Sequence, residues 1–399
     1  AMAELAYWRL QRAADGYALA VRASVDLPAD VDALAHGALL HLRAMALLEI
    51  PGRGSPGTRH GEVARLLDAA RRRLQVTRYG VRELPRIEIF AGFLDYRANR
   101  LAEARRRFAA AARHCSELRD WECHALARQN EASLLEEESY PAALAAYHDA
   151  LRELDPEVFP DTASVVWDNL GRLQASVGLF EQSERSHLNA VRLYAEIGSC
   201  DGLRRALSRL GALALETGSF GDADAYLRHV ATLDCRDLLA QTVGWGSRNP
   251  SGMPDFGTRS MIADESIPVA ALDSCVPGEA PHSLSTDAKL PVFNALSSLG
   301  RLALLTGNPA QAHRCIDSAA GYAATPRTRL RLAIAQGDIA LAHGDAPDAQ
   351  RAFAEALRIA DQANLPQTHE NRTLAHLGLA RAALAGGKAA EALQHAREA

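Results

Sequence analysis

The chain has 399 residues, 48% hydrophobic and 23% charged, which is the composition of a folded protein and excludes wholesale disorder. Its formal net charge is −5, which argues against broad electrostatic binding to nucleic acid. Mean hydropathy is −0.14, and no uninterrupted apolar run reaches the roughly 18 residues that a membrane-crossing helix needs.

In chain order, Ala1-Met2-Ala3 reads as a cloning scar, and residues 3–24 form a helical pattern expected to cap the stack of helices downstream. Residues 31–49 are mostly Ala, Leu, His and Met and predict one buried helix. A Pro- and Gly-rich loop at 51–57 leads to a helix from about Glu62 to Leu74. That helix–loop–helix is expected to be a capping element or a divergent version of the units downstream.

Those units repeat. Trp167-Asp168-Asn169-Leu170-Gly171 is followed by Gly178, Phe180 and Ala190. Gly211, Gly218 and Ala223 have the same spacing, as do Gly300, Gly307 and Ala312, and Gly337, Gly344 and Ala349. In the last three, a second Gly comes seven residues after the first and an Ala five residues later. The first small residue lets two helices cross closely, and the second ends the first helix in a left-handed conformation. The Ala is expected to face the first Gly across the hairpin. One hairpin cannot bury its own apolar face, so neighbours must stack.

This pattern resembles the tetratricopeptide repeat (TPR) family, of the long-repeat type found in kinesin light chains and bacterial signalling proteins. Weaker copies include Gly92, Leu101, Ala104, Phe108 and Ala111, then Glu131, Tyr140, Ala143, Tyr147 and Ala150, and finally Ala380, Gly387, Ala392 and Ala396. Glu131 departs from the usual small residue, and a shift of one would place Ala132 there; Ser183 replaces the usual Ala. The resemblance covers about 86–230 and 288–399 and implies an all-α, right-handed superhelix of about seven or eight hairpins. The expected organisation is N-terminal helices at 1–80, about four repeats at 81–235, an irregular insertion at 236–286, and about three repeats at 287–399. Gly244-Trp245-Gly246, Pro250, Pro254, Pro268, Pro277 and Pro281 break any helical period in the insertion. The chain stops inside a helical pattern at Ala399, as a fragment of a longer protein would.

The resemblance also implies a function. Stacked hairpins would line a concave groove with the first, or A, helix of each pair. Arg97, Arg128, Asp168, Asn169, Arg172, Arg205, Arg209 and Arg301 are the expected peptide- or partner-binding residues. Arginine forks grip carboxylates, and Asn pairs with both polar groups of a peptide bond. Asn169 occupies the place where the family often carries an Asn with that task. The expected protein is a non-enzymatic interaction scaffold binding a protein or peptide, not nucleic acid. The alternatives are the regulatory arm of a larger signalling enzyme (a caspase-like CHAT protease, cyclase or kinase) and the sensor module of a transcription regulator.

Nothing in the sequence announces chemistry. Gly52-x-Gly54-x-x-Gly57 fits a dinucleotide motif in letters, but a helix precedes it and Pro56 interrupts it. Asp255-Phe256-Gly257 has no companion kinase motifs. None of the 14 histidines forms HExxH, and His376 follows His369-Glu370 at the wrong spacing for a helical zinc pair. No metal or cofactor is expected. Trp167 and Trp121 are expected to pack in repeats. Six cysteines (Cys115, Cys123, Cys200, Cys235, Cys275, Cys315) make no CxxC and read first as thiols of a cytoplasmic protein. Cys115 and Cys123 flank one turn, however, and disulfides would point to export after loss of a signal peptide.

Overall fold

The computed structural model describes residues 13–26, 33–49, 56–78, 80–136, 138–233, 275, 277, 280–284, 286–363 and 370–399. Among them are seventeen α-helices and no strand, so the chain is all-α. It divides into two compact units, Ala1–Leu173 and Gln174–Ala399.

The first unit holds α1 (Ala13–Asp26), α2 (Ala33–Glu49), α3 (Pro56–Leu74), α4 (Leu84–Arg97), α5 (Leu101–Glu117), α6 (Trp121–Leu135), α7 (Tyr140–Arg152) and most of α8 (Pro160–Ser176). Helices adjacent in sequence pack side by side from α1 through α7. Leu40, Ala44, Leu47 and Leu48 of α2 meet Val63, Leu67, Ala70 and Leu74 of α3, and Ile87 and Leu94 of α4 join them. The N-terminal helices and the first recognisable repeat therefore share one core.

The second unit holds α9 (Phe180–Glu196), α10 (Cys200–Glu216), α11 (Phe220–Thr232), α12 (Thr286–Leu305), α13 (Pro309–Ala320), α14 (Pro326–Ala342), α15 (Ala346–Gln362), α16 (Glu370–Ala385) and α17 (Ala389–Glu398). Most of the expected insertion, with Trp245, lies outside the described residues, as does Trp8. Helix α12 nevertheless packs on both α10 and α11, so the hairpins stack across it.

The glycine grammar has a direct structural cause. A Cβ placed on Gly92 would lie 2.7 Å from the Phe108 ring, on Gly300 3.0 Å from Ile316, and on Gly337 2.6 Å from the Phe353 ring. On Gly211 it would meet Leu227. In each case the partner sits sixteen residues on, in the second, or B, helix. The expected Ala lines the crossing as well: at Gly300 the Ala312 carbonyl oxygen lies 3.4 Å from the same Cβ position. Ala104, Ala223, Ala312 and Ala349 are fully buried, and the glycine also makes room for the large side chain one turn beyond them. The same spacing resolves the register at Glu131. Tyr147, sixteen residues after it, is fully buried, so Glu131 itself holds the small-residue place and is 8% exposed.

Helix ends follow local chemistry. Gly178, Gly218, Gly307, Gly344 and Gly387 have φ between 74° and 80°. The residue after each returns its N–H to a carbonyl five positions back, as in Ser219 to Ala214 (2.8 Å) and Asn308 to Ala303 (2.7 Å). Asn99 fills the same place in the first repeat at φ 59°, which Asn tolerates better than most side chains. Helices then restart on side-chain caps: Asp120, Ser139, Asn308 and Asp345 each accept from a backbone N–H in the first turn, and Thr325 and Thr328 form a capping box.

The cysteine expectation is also revised. Cys115 is joined to Cys123 across the α5–α6 turn, with Cα atoms 5.6 Å apart, and Cys275 to Cys315 of α13, with Cα atoms 4.8 Å apart. Both separations suit a disulfide. Cys200 is disulfide-bonded as well.

Two outcomes are expected. Gly218→Ala, at φ 78°, should cost about 1–2 kcal/mol in urea unfolding, whereas Gly61→Ala, in an α3 position with open space around it, should gain about 0.5–1 kcal/mol. His41 on α2 is 8% exposed, and burial, then the charge of Arg86, lowers its pKa to about 4. It stays neutral when folded, while the unfolded chain takes up a proton below about pH 6.5. Stability is therefore lost as pH falls from 6.5 towards 4. His41→Phe should recover about 2–3 kcal/mol relative to the parent on going from pH 7 to 4.5. A pH-independent difference between the two proteins would refute that assignment.

Candidate functional site

On the A helices of the first unit, residues spaced by three and four share one half-exposed stripe. On α4 it carries Arg86, Phe90, Phe93 and Arg97. The Phe90 and Phe93 rings are 6.3 Å apart, Phe93 is 6.3 Å from Tyr96, and the exposed Arg97 guanidinium stacks 5.6 Å over Phe93. On α6 the stripe carries Gln129 and Ser133, with Glu136 at its end. On α8 it carries Asn169 and Arg172.

Polar bonds join these stripes from repeat to repeat. Arg86 donates to Glu122 at 2.9 Å and to Asp120. Asn169 Nδ2 donates to Gln129 Oε1 at 3.0 Å, and Arg172 Nη2 to Glu136 Oε1 at 2.6 Å. Tyr147 of α7 donates to the same Glu136 oxygen at 2.6 Å. Burial, reinforced by Glu136, holds the Tyr147 phenol above its ordinary pKa. Burial works against the charge of Arg172, but the bond to Glu136 outweighs it and raises the pKa.

Two expected binding residues stand one position off this stripe. Arg128 turns to its own hairpin, donating to Asp149 of α7 at 2.7 Å and to Glu131. Asp168 is 1% exposed, next to Asn169. A helix turns about 100° per residue, and one step moves a side chain from the open stripe towards the hairpin interior. Trp167 is half-buried, and Trp121 packs edge-on to His124.

In the second unit the A-helix stripes carry Arg205 and Arg209 on α10, Asn294 and Arg301 on α12, Arg331 and Asp338 on α14, and Arg381 on α16. Arg205 stacks 5.6 Å over the Tyr194 ring and donates to its hydroxyl at 2.8 Å. Arg209 is half-buried and Arg301 exposed. Arg331 donates to Asn294 at 2.8 Å, and Arg381 to Asp338 at 3.0 Å. Burial raises the Asp338 pKa, opposed by Arg381 and Arg301. Glu136 and Tyr194 are partners that sequence reasoning missed: one is a helix-end residue, the other lies on a B helix.

No protein-family model matches the chain, and no curated protein matches it. Solved structures do. The apo form of the quorum sensor NprR from B. thuringiensis has a TM-score of 0.61 at 11% identity, covering 99% of this chain and 94% of that one. The apo form of RapI gives 0.59 at 11% identity, covering 97% and 91%. A signal transduction ATPase with a tetratricopeptide repeat sensor from Pyrococcus horikoshii gives 0.53 at 12% identity, covering 96% of this chain and 51% of that one. These likenesses, with the hairpin grammar, show a TPR-type fold. Among the described residues no helix is long and apolar enough to cross a membrane.

Glu136 is largely shielded, so removing its cationic partner should be costly. Arg172→Met is expected to lose about 1–3 kcal/mol in urea unfolding. Arg105→Met, which breaks the exposed pair with Glu138, should lose less than about 1 kcal/mol. Equal losses would contradict the difference in environment.

Proposed function

We propose that this protein is a non-enzymatic interaction scaffold that holds an extended peptide, or an extended segment of a partner protein, along its A-helix stripes. The observation that carries the reading is the Asn169–Gln129 pair. Its single hydrogen bond leaves Asn169 Oδ1 as an acceptor and Gln129 Nε2 as a donor. A peptide backbone presents the complementary N–H and C=O. Exposed stripe cations favour an acidic ligand: Arg97 in the first unit and Arg301 in the second are in no ion pair among the described residues. Arg205 and Arg209 extend the same polarity in the second unit. Arg128 and Asp168 support the stripe from behind, and Arg172 takes part by exchanging Glu136 for a ligand carboxylate. Proteins of like fold named as a quorum sensor and as a repeat sensor favour a sensing role, either alone or as the arm of a larger signalling protein.

The paired cysteines favour an oxidising compartment over the cytoplasm as the place of action. Thiol counting on the denatured, unreduced protein should find no free thiol at Cys115, Cys123, Cys275 or Cys315. Full alkylation of all four without reductant would return the reading to the cytoplasm.

Binding is tested on an array of immobilised ten-residue peptides of varied charge. Acidic peptides should be retained, with affinity falling as salt rises. Asn169→Ala and Arg97→Glu should each weaken capture by about tenfold, the equivalent of about 1.4 kcal/mol. Arg185→Glu, on a B helix, should leave it unchanged. Retention unaffected by both stripe variants would remove this reading.

A further inference from the structure

His376 sits in the middle of α16, and His395 and Glu398 lie three residues apart on one face of α17. The hairpin turn at Gly386-Gly387-Lys388 folds α17 back along α16 and brings the three together. His376 Nδ1 lies 3.2 Å from Glu398 Oε2, and His395 Nδ1 lies 3.4 Å from the same oxygen. All three donor atoms fall within 4.8 Å of one another.

The two imidazole nitrogens are buried, yet neither has a hydrogen-bond partner of acceptable alignment. Both nitrogens instead converge on one Glu398 oxygen, and an ion held among the three would satisfy both nitrogens at once. The two His–Glu separations, 3.2 and 3.4 Å, fit that arrangement. Four ligands at about 2.0–2.1 Å around a tetrahedral zinc ion stand about 3.3–3.4 Å apart along each edge. Gln394 Nε2 donates to Glu398 Oε1 at 3.1 Å, which fixes the carboxylate with its other oxygen turned to the histidines. Outer bonds of this kind commonly orient a ligand.

We infer that His376, His395 and Glu398 form a binding site for a divalent transition-metal ion, zinc by preference, that joins α16 to the last turn of α17. Two imidazoles and one carboxylate suit zinc rather than magnesium or calcium, which take oxygen-rich shells. Three protein ligands leave a fourth position for water or for a donor from a bound partner. The ion acts as a staple on the hairpin. Metal that binds only the folded pair of helices adds its binding free energy to their stability.

The test uses the full chain without a polyhistidine tag. Zinc chloride titrated by calorimetry should bind at one site per chain, and magnesium chloride at the same concentration should give no saturable signal. Cobalt(II), added separately, should show the intense visible bands of a four-coordinate site. His376→Ala and His395→Ala should each weaken zinc binding by at least about tenfold, with the helical circular dichroism retained. Glu398→Gln, which keeps the side-chain shape, should weaken it likewise. If a variant fails to fold, the cobalt spectrum of the parent protein decides: six-coordinate, weakly absorbing cobalt overturns the site. Absence of saturable zinc binding, or affinity unchanged in all three variants because other histidines hold the ion, overturns it too.

Discussion

A missing side chain on four of the A helices lets one large B-helix side chain occupy the gap, and the geometry of those hairpins depends on that contact. Phe108, Leu227, Ile316 and Phe353 fill the spaces over Gly92, Gly211, Gly300 and Gly337. Phe353 does more than close its own hairpin, because its ring also lies against Gly378 of the following A helix. The fully buried ring thus fixes two helix crossings at once. Burial of one such side chain contributes about 1.5–3 kcal/mol, and a stack of similar hairpins repeats the gain along the chain.

Close helix crossing has a second consequence. With the B helices held against the back of the A helices, the remaining A-helix stripe is left half-exposed and polar. The stripes bind one another through Arg86–Glu122, Asn169–Gln129 and Arg172–Glu136 in the first unit, and through Arg331–Asn294 and Arg381–Asp338 in the second. These bonds position the very groups proposed to meet a ligand. The surface is therefore organised before any partner arrives, which lowers the entropy a partner must give up on binding.

The repeat was legible in the sequence because its two glycines answer to strong backbone demands: close approach at Gly337 and a left-handed turn at Gly344. The residue opposite Gly337 was less legible. Ala349 and Phe353 lie one helical turn apart on the same B-helix face, and spacing alone does not say which of them crosses the gap. Arg128 and Asp168 show the same limit, since one residue of helical phase separates the open stripe from the hairpin interior. The His376–His395–Glu398 cluster was invisible to any single-helix motif. Its ligands come from two antiparallel helices, and only the fold supplies their proximity. The Cys275–Cys315 pairing, forty residues apart, is hidden for the same reason, whereas Cys115 and Cys123 flank a turn that could be read directly.

The glycine interlock is tested most directly by a double-mutant cycle on Gly337 and Phe353, followed by urea unfolding. Gly337→Val alone should cost about 1–3 kcal/mol by overpacking, and Phe353→Ala alone about 3–5 kcal/mol by leaving a cavity. Together they should cost at least about 1 kcal/mol less than the sum, because the smaller residue at 353 makes room for the added side chain. Costs that add to within about 0.5 kcal/mol would show that the two positions do not share a contact, and the packing rule proposed for the glycine-bearing hairpins would fall with them.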